Sequence, residues 1–350
     1  MKGNEAVAEA AIRAGVDGYF GYPITPQTEI IEYLMAARPW ETTGMVVLQA
    51  ESEIAAINMV YGGAACGKKV MTSSSSPGIS LKQEGLTYMA GAELPCLVVN
   101  VVRGGPGLGT IQPAQSDYFQ ATKGGGHGDY HLIVLAPASV QEMADFVDIS
   151  FDLAFRYRNP VMILSDGAIG QMMEKVYLSP YKERSKDIPG WATVGKPSTR
   201  ERNIITSVDL DPERHDRFNQ KLIAKYKEIS DKEVRYEEIM CDDAEYLLVA
   251  YGTSARVCQK AVQLLRDQGI KAGLLRPVTV YPFPYTKISE LAGKARLAIS
   301  VEMSAGQMVE DVKLAVNGKI PVSHFGRMGG IITSPEEVVS NLKSEISKLK

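Results

Sequence analysis

Three polar side chains stand where an apolar run gives way to a helical pattern, and ligands bind at such junctions in open α/β sheets. Thr25 lies between Pro23 and Pro26, Glu53 opens the apolar stretch IAAINMV, and Arg103 follows the apolar run LVVNVV. A guanidinium at the end of a strand can bind a carboxylate in bidentate fashion, and a carboxyl beside a buried helix can hold or release a proton. These three positions define the candidate site.

The segment GYFGYPITPQTEI, residues 18–30, predicts a strand that ends at Pro23 and a helix that begins at Pro26. Proline lacks the amide donor that a strand needs, and it suits the first turn of a helix. The hydroxyl of Thr25 could cap this helix. A cap alone and a role in ligand binding both explain a threonine at this junction.

The segment LQAESEIAAINMVYGG, residues 48–63, predicts a short strand followed by a largely buried helix. Glu51, Ser52 and Glu53 separate the two elements. Acidic residues in a first turn stabilise a helix through its dipole, and this capping role explains one or two of them. Glu53 stands nearest the apolar part of the helix and is therefore the candidate for a functional carboxyl.

Other motif-like stretches have weaker support. The run GGPGLG, residues 104–109, lacks the glycine spacing of a dinucleotide fingerprint and opens no helix. The run SDGAIG, residues 165–170, lacks the downstream asparagines of a metal-and-diphosphate motif and predicts a strand end with a turn. The four histidines are dispersed, so no metal site is expected in this chain.

Composition describes an ordinary globular protein and excludes several classes. The 350 residues suffice for about two domains, and the net charge of −3 offers no polycation for nucleic acid or lipid. None of the four cysteines forms a C-x-x-C, which argues against iron–sulfur and zinc sites. The amphipathic N-terminus does not resemble a signal peptide, and no apolar stretch approaches the roughly 18 residues of a membrane span. A reducing cytoplasm is the expected location.

Helix and strand signals alternate in two blocks, as in βαβ units. The first block predicts a parallel-sheet domain over residues 1–177, and the second predicts a smaller α/β domain over residues 243–350. Residues 178–242 have no alternation of buried strands and are interpreted as an extended connector. The glycine-rich residues 104–130 form a long loop, and loops of that length in compact domains are usually functional or disordered.

Four ordered motifs carry a resemblance to a known family: GYPITPQTEI, AESEIAAINMVYGGA, TSSSSPGISLKQEGL and VVRGGPGLGTIQPAQSDYFQ. In this order and spacing the chain resembles the alpha subunits of 2-oxoacid:ferredoxin oxidoreductases. The branched-chain, 2-oxoisovalerate type is the nearest, and the 2-oxoglutarate and pyruvate types share the same skeleton. The resemblance implies a thiamine-diphosphate pyrimidine-binding α/β domain followed by a transketolase C-terminal-like α/β domain.

The resemblance also implies roles for individual residues. Glu53 matches the catalytic carboxylate that bonds the aminopyrimidine ring of thiamine diphosphate, and burial would raise the pKa of such a carboxyl. Thr25 and Arg103 match residues that bind the 2-oxoacid, and a plain surface arginine is the alternative for Arg103. Further residues are expected near the cofactor: Tyr22, Pro23, Ile24, Ser76 and Gly78. The sequence does not indicate which serine of residues 73–76 matters.

The resemblance places the remaining chemistry on partner subunits. The chain lacks a diphosphate-metal motif, so Mg²⁺ and the diphosphate are expected on a beta subunit. The [4Fe–4S] clusters are expected on a gamma subunit and a ferredoxin-like delta subunit. Coenzyme A, ferredoxin and a 2-oxoacid are the expected reactants, with no nucleic acid and no membrane.

Two hypotheses of other classes remain open at this stage. The chain could be a non-catalytic scaffold subunit of such a complex. It could instead be a nucleotide-dependent binding module that uses residues 104–130.

Overall fold

The computed structural model describes residues 1–349 of the chain. Its strands are β1 (Gly18–Gly21), β2 (Val46–Gln49), β3 (Val70–Ser74), β4 (Cys96–Val102), β5 (Ile133–Leu135), β6 (Pro160–Asp166), β7 (Tyr236–Ile239), β8 (Tyr246–Val249), β9 (Ala272–Pro277), β10 (Thr279–Tyr281), β11 (Leu297–Val301) and β12 (Val322–Phe325). Its helices are α1 (Gly3–Arg13), α2 (Thr28–Ala37), α3 (Pro39–Thr42), α4 (Glu53–Ala65), α5 (Pro77–Gly91), α6 (Tyr118–Thr122), α7 (Val140–Tyr157), α8 (Gly167–Gln171), α9 (Pro212–Lys232), α10 (Gly252–Arg266), α11 (Tyr285–Ala292), α12 (Met308–Val316) and α13 (Pro335–Lys348).

The first sheet has seven strands in the order β10-β5-β6-β4-β3-β1-β2. The neighbours from β5 to β2 are parallel, and β10 pairs antiparallel with β5. Strands β3, β4 and β6 are buried along their whole length, as expected for parallel strands covered on both faces. Helix α7 packs on β4 and β6, whereas α4 packs on β1 and β3.

The strand order reverses between β1 and β3, because the chain passes from β1 outward to β2 and then back across to β3. In doubly wound sheets a ligand crevice opens at this reversal, outside the carboxyl ends of the strands. The loops after β1, β3 and β4 all leave the sheet at the carboxyl ends of the strands, since the three strands are parallel neighbours. The fold therefore brings residues 22–27, 75–76 and 103–117 together.

The second sheet has five strands in the order β12-β11-β8-β9-β7. Its central strands are parallel and buried, and β7 pairs antiparallel with β9 at one edge. Helices α10 and α13 pack against each other on this sheet. The predicted α/β fold with a large parallel-sheet domain and a smaller α/β domain is confirmed.

The expected connector has its own contacts and secondary structure. From Lys182 to Thr193 it runs along the first domain, where the Lys182 amide donates to Arg13 O at 2.7 Å and the Thr193 amide to Ala65 O at 2.9 Å. Helix α9 and strand β7 follow. Because β7 pairs with β9, the second sheet takes a strand from the 178–242 range, and we propose that the second domain begins at β7.

Two local predictions were wrong. Thr25 does not cap a helix at Pro26: α2 begins at Thr28, Gln27 occupies its N-terminal boundary, and that boundary has no side-chain cap. The sequence pattern over residues 272–280 predicts a single strand, whereas the structure divides this stretch into β9 in the second sheet and β10 in the first. No helix within residues 1–349 has both the length and the apolar composition to cross a bilayer.

Candidate functional site

Glu53 is the first residue of α4, and its side chain is held over α5. Ser52 forms the N-cap by accepting from the Ala55 amide at 3.2 Å, so Glu53 itself is not needed as the cap. The side chain is 7% exposed. A Cβ built on Gly78 would lie 2.8 Å from Glu53 Oε1 and would overlap Ser74 Oγ. The carboxyl thus occupies space that is open because residue 78 is glycine.

Arg103 lies at the end of β4, and its guanidinium reaches the loop after β1. Nη1 donates to the Thr25 carbonyl at 3.0 Å, and Nη2 donates to the Leu108 carbonyl at 3.0 Å. The side chain is 8% exposed, and its buried Nε has no hydrogen-bond partner within residues 1–349. These contacts bring two of the predicted site residues together and leave the guanidinium without a carboxylate partner in the described structure.

Ser76 connects these contacts at the turn between β3 and α5. Its φ of 20° is a conformation that L side chains rarely adopt. The hydroxyl donates to Asp117 Oδ2 at 2.8 Å and accepts from the Arg103 amide at 3.1 Å, while the Ser76 amide donates to Asn100 Oδ1 at 3.3 Å. Asn100, Arg103 and Asp117 therefore hold the turn in place.

Asp117 is a buried acid at this turn. Its Oδ2 accepts from Asn100 Nδ2 at 2.9 Å in addition to Ser76. Burial raises the pKa of the Asp117 carboxyl, and the hydrogen bonds from Asn100 and Ser76 act in the opposite direction. A cavity of about 390 Å³ adjoins Asp117 and Ser76 and extends to Met303 and Met328 of the second domain.

The loop after β1 is positioned by a buried glutamine. Gln27 Oε1 accepts from Ser73 Oγ at 2.5 Å, and Gln27 Nε2 donates to the Tyr22 carbonyl at 3.1 Å. Ser73 Oγ also lies 2.7 Å from the Tyr19 hydroxyl. This chain of contacts fixes the YPIT segment against the end of β3, and it explains why the helix starts only after Gln27.

Two family profiles match the chain. The family profile described as "Pyruvate flavodoxin/ferredoxin oxidoreductase, thiamine diP-bdg" matches residues 9–238, and the profile described as "Pyruvate:ferredoxin oxidoreductase core domain II" matches residues 244–338. The chain belongs to the 2-oxoacid:ferredoxin oxidoreductase family. The family-level prediction made from the four motifs is confirmed.

Several relatives within the family match nearly the whole chain. The chain is 50% identical to "Ketoisovalerate oxidoreductase subunit VorB" of Methanothermobacter thermautotrophicus, over 98% of this chain and 96% of that protein. It is 51% identical to the protein of the same name in Methanothermobacter marburgensis, with the same coverage. It is 36% identical to "2-oxoglutarate synthase subunit KorA" of Methanothermobacter marburgensis, over 98% of this chain and 97% of that protein.

Two solved structures share the fold. A 2-oxoglutarate:ferredoxin oxidoreductase from Magnetococcus marinus with 2-oxoglutarate, coenzyme A and succinyl-CoA bound superposes with a TM-score of 0.84 at 29% identity. The match covers 99% of this chain and 65% of that chain, so this chain spans just under two thirds of the solved one. A split-gene transketolase superposes with a TM-score of 0.64 at 13% identity over 100% of this chain and 99% of that chain, which indicates a shared fold.

The residues at the switch point suit the pyrimidine end of thiamine diphosphate, the cofactor of the family domain that matches residues 9–238. The buried Glu53 carboxyl provides a hydrogen-bond partner for a ring nitrogen. The buried hydroxyls of Ser74 and Ser75 have no hydrogen-bond partner within residues 1–349. Buried polar groups normally find partners, so these hydroxyls are open to a ligand or ordered water.

The predicted site residues divide into two groups. Glu53, Gly78, Ser76, Arg103 and Thr25 meet around the β3–α5 turn, although Thr25 contributes its carbonyl and has an exposed side chain. Tyr22, Pro23 and Ile24 lie half-buried in the loop after β1, and no hydrogen bond within residues 1–349 joins them to Glu53. The predicted contacts of both groups with the cofactor and the substrate stay predictions.

Sequence reasoning missed Gln27, Asn100, Asp117 and the fully buried Lys82. Asn100 left a signal, because a polar residue inside the run LVVNVV is unusual, whereas Asp117 left none, since aspartate is common in loops. Lys82 left none, since LKQE is typical of an exposed helix surface.

Proposed function

We propose that this chain is the alpha subunit of a 2-oxoisovalerate:ferredoxin oxidoreductase. The complex oxidatively decarboxylates a branched-chain 2-oxoacid with coenzyme A, giving acyl-CoA, CO₂ and reduced ferredoxin. In this proposal the chain holds the pyrimidine end of thiamine diphosphate and anchors the 2-oxoacid. The observation that carries the proposal is the buried Glu53 carboxyl, which lies beside Gly78 at the sheet's switch point.

Glu53 is proposed to form a hydrogen bond with a ring nitrogen of the aminopyrimidine. When bound, thiamine diphosphate supplies the carbon nucleophile and the electron sink for decarboxylation. The proposed role of this chain is to hold one proton between Glu53 and that ring nitrogen, in a site from which water is excluded. Such an interaction is stronger in an apolar setting than in water, and α4 provides that setting through Ala56, Ile57 and Val60.

Arg103 is proposed to bind the carboxylate of the 2-oxoacid. Its buried Nε is free to donate, and its guanidinium has carbonyl partners but no acid partner within residues 1–349. A guanidinium prefers a bidentate carboxylate to two separate carbonyls, because the charged pair gives the stronger hydrogen bonds. The Thr25 hydroxyl is proposed to contact the same substrate.

The rest of the cofactor and the electron path are proposed to lie on partner subunits. The candidate site supplies side chains for the pyrimidine end, and no group of three or more His, Cys, Asp or Glu within residues 1–349 is arranged to hold a metal ion. A beta subunit with Mg²⁺ and the diphosphate site, together with gamma and ferredoxin-like delta subunits with [4Fe–4S] clusters, would complete the enzyme. Exposed apolar residues on α4 and α5, including Ile54 and Leu81, support a partner on that side.

A branched-chain substrate is supported by the names and identities of the relatives. The relatives named for ketoisovalerate are 50% and 51% identical to this chain, whereas five relatives named for 2-oxoglutarate are between 29% and 37% identical.

The proposed function is tested by Glu53→Gln in the reconstituted complex. We expect 2-oxoisovalerate-dependent ferredoxin reduction to fall at least about 100-fold, because an amide does not exchange the proton in the way a carboxyl does. Glu51→Gln is the matched control, since Glu51 is exposed two residues earlier, and it should retain activity. Near-normal turnover of Glu53→Gln in an intact complex would instead support a scaffold role.

A substrate panel tests the specificity part separately. The wild-type complex is assayed with 2-oxoisovalerate, pyruvate and 2-oxoglutarate, and 2-oxoisovalerate should have the highest kcat/KM. Preference for 2-oxoglutarate or pyruvate would assign the protein to another type within the family. A nucleotide-binding role for residues 104–130 would show as nucleotide affinity of the isolated chain in calorimetry.

A further inference from the structure

Glu302 is a fully buried acid that the proposed function leaves without a role. It follows β11 directly, and its relative exposure is 0%. Burial of an acid is costly unless its oxygens are hydrogen-bonded. Oε1 accepts from Ser300 Oγ at 3.0 Å and from the Val309 amide at 3.0 Å. Oε2 accepts from Ser304 Oγ at 2.8 Å and from the amides of Gln307 at 2.9 Å and Met308 at 3.0 Å.

These hydrogen bonds fold the chain around the carboxylate between β11 and α12. Amides in the first turn of a helix have no partner within the helix. The N-terminal boundary of α12, at Gln307, has no side-chain cap of its own. Glu302, which lies before the helix, accepts from these amides instead. Ser304 Oγ, which donates to Glu302, also accepts from the Gly306 amide at 3.1 Å. Glu302 therefore fixes the conformation of residues 303–307, the 303–307 loop.

The 303–307 loop holds residues 115–119 of the first domain. At the start of the loop, the Gln115 amide donates to the Met303 carbonyl at 2.9 Å, and the Met303 amide donates to Gln115 Oε1 at 3.0 Å. At its end, Gln307 Nε2 donates to the Ser116 carbonyl at 2.7 Å, and Gln307 Oε1 accepts from the Phe119 amide at 2.8 Å. Both ends of the loop therefore contact this segment.

Asp117 lies within residues 115–119 and extends these contacts toward the candidate site. Together with Ser76 and Met303 it lines the cavity of about 390 Å³, which Glu302 itself does not line. Asp117 Oδ2 accepts from Ser76 Oγ at 2.8 Å, and Ser76 Oγ accepts from the Arg103 amide at 3.1 Å. The position of residues 115–119 therefore bears on the backbone of Arg103.

We infer that Glu302 is a positioning residue: through the 303–307 loop it fixes residues 115–119, and through them the backbone of Arg103. Because Glu302 is fully buried, it acts without touching substrate or cofactor. A carboxylate that only capped α12 would stabilise the second domain and leave residues 115–119 unaffected. The effect on substrate binding rests on the proposed function, whereas the hold on residues 115–119 does not.

Backbone hydrogen exchange in the full chain tests the hold on residues 115–119. Glu302→Gln keeps the size of the side chain, but its amide nitrogen is a donor and cannot accept from the groups that surround it. We expect the Gln115 and Phe119 amides to exchange at least about tenfold faster, beyond what the loss of global stability accounts for. Leu342→Ala is the matched control, since Leu342 is fully buried on α13 and its truncation also destabilises the second domain. In that variant the same amides should exchange no faster than the loss of stability explains.

Steady-state kinetics of the reconstituted complex test the consequence for the substrate. Glu302→Gln should raise the KM for 2-oxoisovalerate about tenfold and leave kcat within about twofold, because a uniform loss of binding raises KM alone. Leu342→Ala should leave both constants unchanged. This split between KM and kcat separates positioning from a general loss of stability.

Unchanged exchange at Gln115 and Phe119 in folded Glu302→Gln overturns the inference. Faster exchange with an unchanged KM upholds the positioning of residues 115–119 and rejects the anchoring role proposed for Arg103. Should Glu302→Gln fail to fold, Ser304→Ala decides, because it removes one donor from the carboxylate and loosens the same loop. Faster exchange at Gln115 in Ser304→Ala then supports the inference, and no change there overturns it.

Discussion

At the scale of single residues, the substitution Gly78→Ala tests whether stability and activity require the space beside Glu53. A helical glycine replaced by alanine usually gains about 0.5–1 kcal/mol of stability. Here the new methyl would lie 2.8 Å from Glu53 Oε1 and overlap Ser74 Oγ, so overpacking of about 1–3 kcal/mol should outweigh that gain. We expect Gly78→Ala to lower the free energy of unfolding and, by displacing the carboxyl, to reduce kcat about 100-fold.

The control for Gly78→Ala is Gly62→Ala on α4. A Cβ there has nothing within 4 Å, so this variant should be neutral or more stable in thermal unfolding of the isolated chain. Equal activity of Gly78→Ala and wild type in the complex would show that the glycine is not required for the site.

Arg103 is expected to govern substrate affinity. Removing a charge-assisted hydrogen bond costs about 1.5–3 kcal/mol, so Arg103→Ala should raise the KM for the 2-oxoacid at least about tenfold. Because the guanidinium also binds the carbonyls of Thr25 and Leu108, some loss of stability should accompany it. Arg202→Ala, at an exposed position, is the control for general loss of positive charge. Steady-state kinetics with an unchanged KM would contradict the anchoring role.

At the scale of elements, helices α4 and α5 present apolar side chains to solvent. Ile54 and Leu81 are each 50% exposed, and Met59 and Tyr88 are also exposed. The two helices pack against each other, and Glu53 begins the first of them. We propose that the diphosphate-binding beta subunit covers these residues, because in the proposed function the cofactor bridges the two chains at Glu53.

Ile54→Lys tests this surface. A charge placed in a buried interface is costly, whereas at a half-exposed position of the isolated chain its effect should stay within about 0.5 kcal/mol. We therefore expect unchanged thermal unfolding of the isolated chain and weakened assembly in size-exclusion chromatography. Leu314→Lys on α12 is the control, since Leu314 is exposed on the second domain. Assembly of Ile54→Lys at wild-type affinity would place the beta subunit elsewhere.

Elements with a clear local pattern were predictable from the sequence, and those decided by distant contacts were not. The apolar runs of β3, β4 and β6 and the start of α4 at Glu53 follow from pattern and turn chemistry. The start of α2 does not, because it depends on Gln27 bonding Ser73 across the sheet. The division between β9 and β10 was also hidden, since no local signal states which sheet a strand joins.

The same distinction applies to the candidate site. Glu53, Arg103, Ser76 and Gly78 were predictable because each stands at a strand-to-helix junction or matches a motif. The network of Asn100 and Asp117, and the burial of Lys82, arise when separate segments meet. Contacts between segments that are far apart in the chain leave no local pattern in a single sequence.

At the scale of the whole molecule, one loop ties the second domain to the candidate site. Residues 103–117 leave β4 beside Arg103, and Gln115 then enters the second domain. Its Nε2 donates to the Tyr251 carbonyl at 2.8 Å, and its Oε1 accepts from Ser254 Oγ at 2.6 Å and the Met303 amide at 3.0 Å. The second domain therefore fixes the loop that carries the proposed substrate contacts.

Nearby side chains reinforce this connection. Asp311 on α12 accepts from the hydroxyls of Tyr118 at 2.7 Å and Tyr285 at 2.5 Å, and it pairs with Lys123 at 2.5 Å. Tyr118 begins α6, three residues after Gln115. The hydrogen bonds of Gln115 and of Tyr118 thus connect the first domain to the second through buried polar groups.

Gln115→Ala should weaken domain docking and loosen the loop together. Truncation leaves the Ser254 hydroxyl and the Met303 amide buried without partners, at about 1–3 kcal/mol for each unpaired group that water does not reach, while the Tyr251 carbonyl still accepts from the Ala255 amide. We expect the free energy of unfolding to fall by about 2 kcal/mol or more and the 2-oxoacid KM to rise, since residues 103–117 lose their fixed end. Calorimetry should resolve a second transition as the domains uncouple. Gln263→Ala, on the exposed face of α10, should leave both properties unchanged. A stable Gln115→Ala chain with wild-type KM would show that the loop keeps its conformation without the second domain.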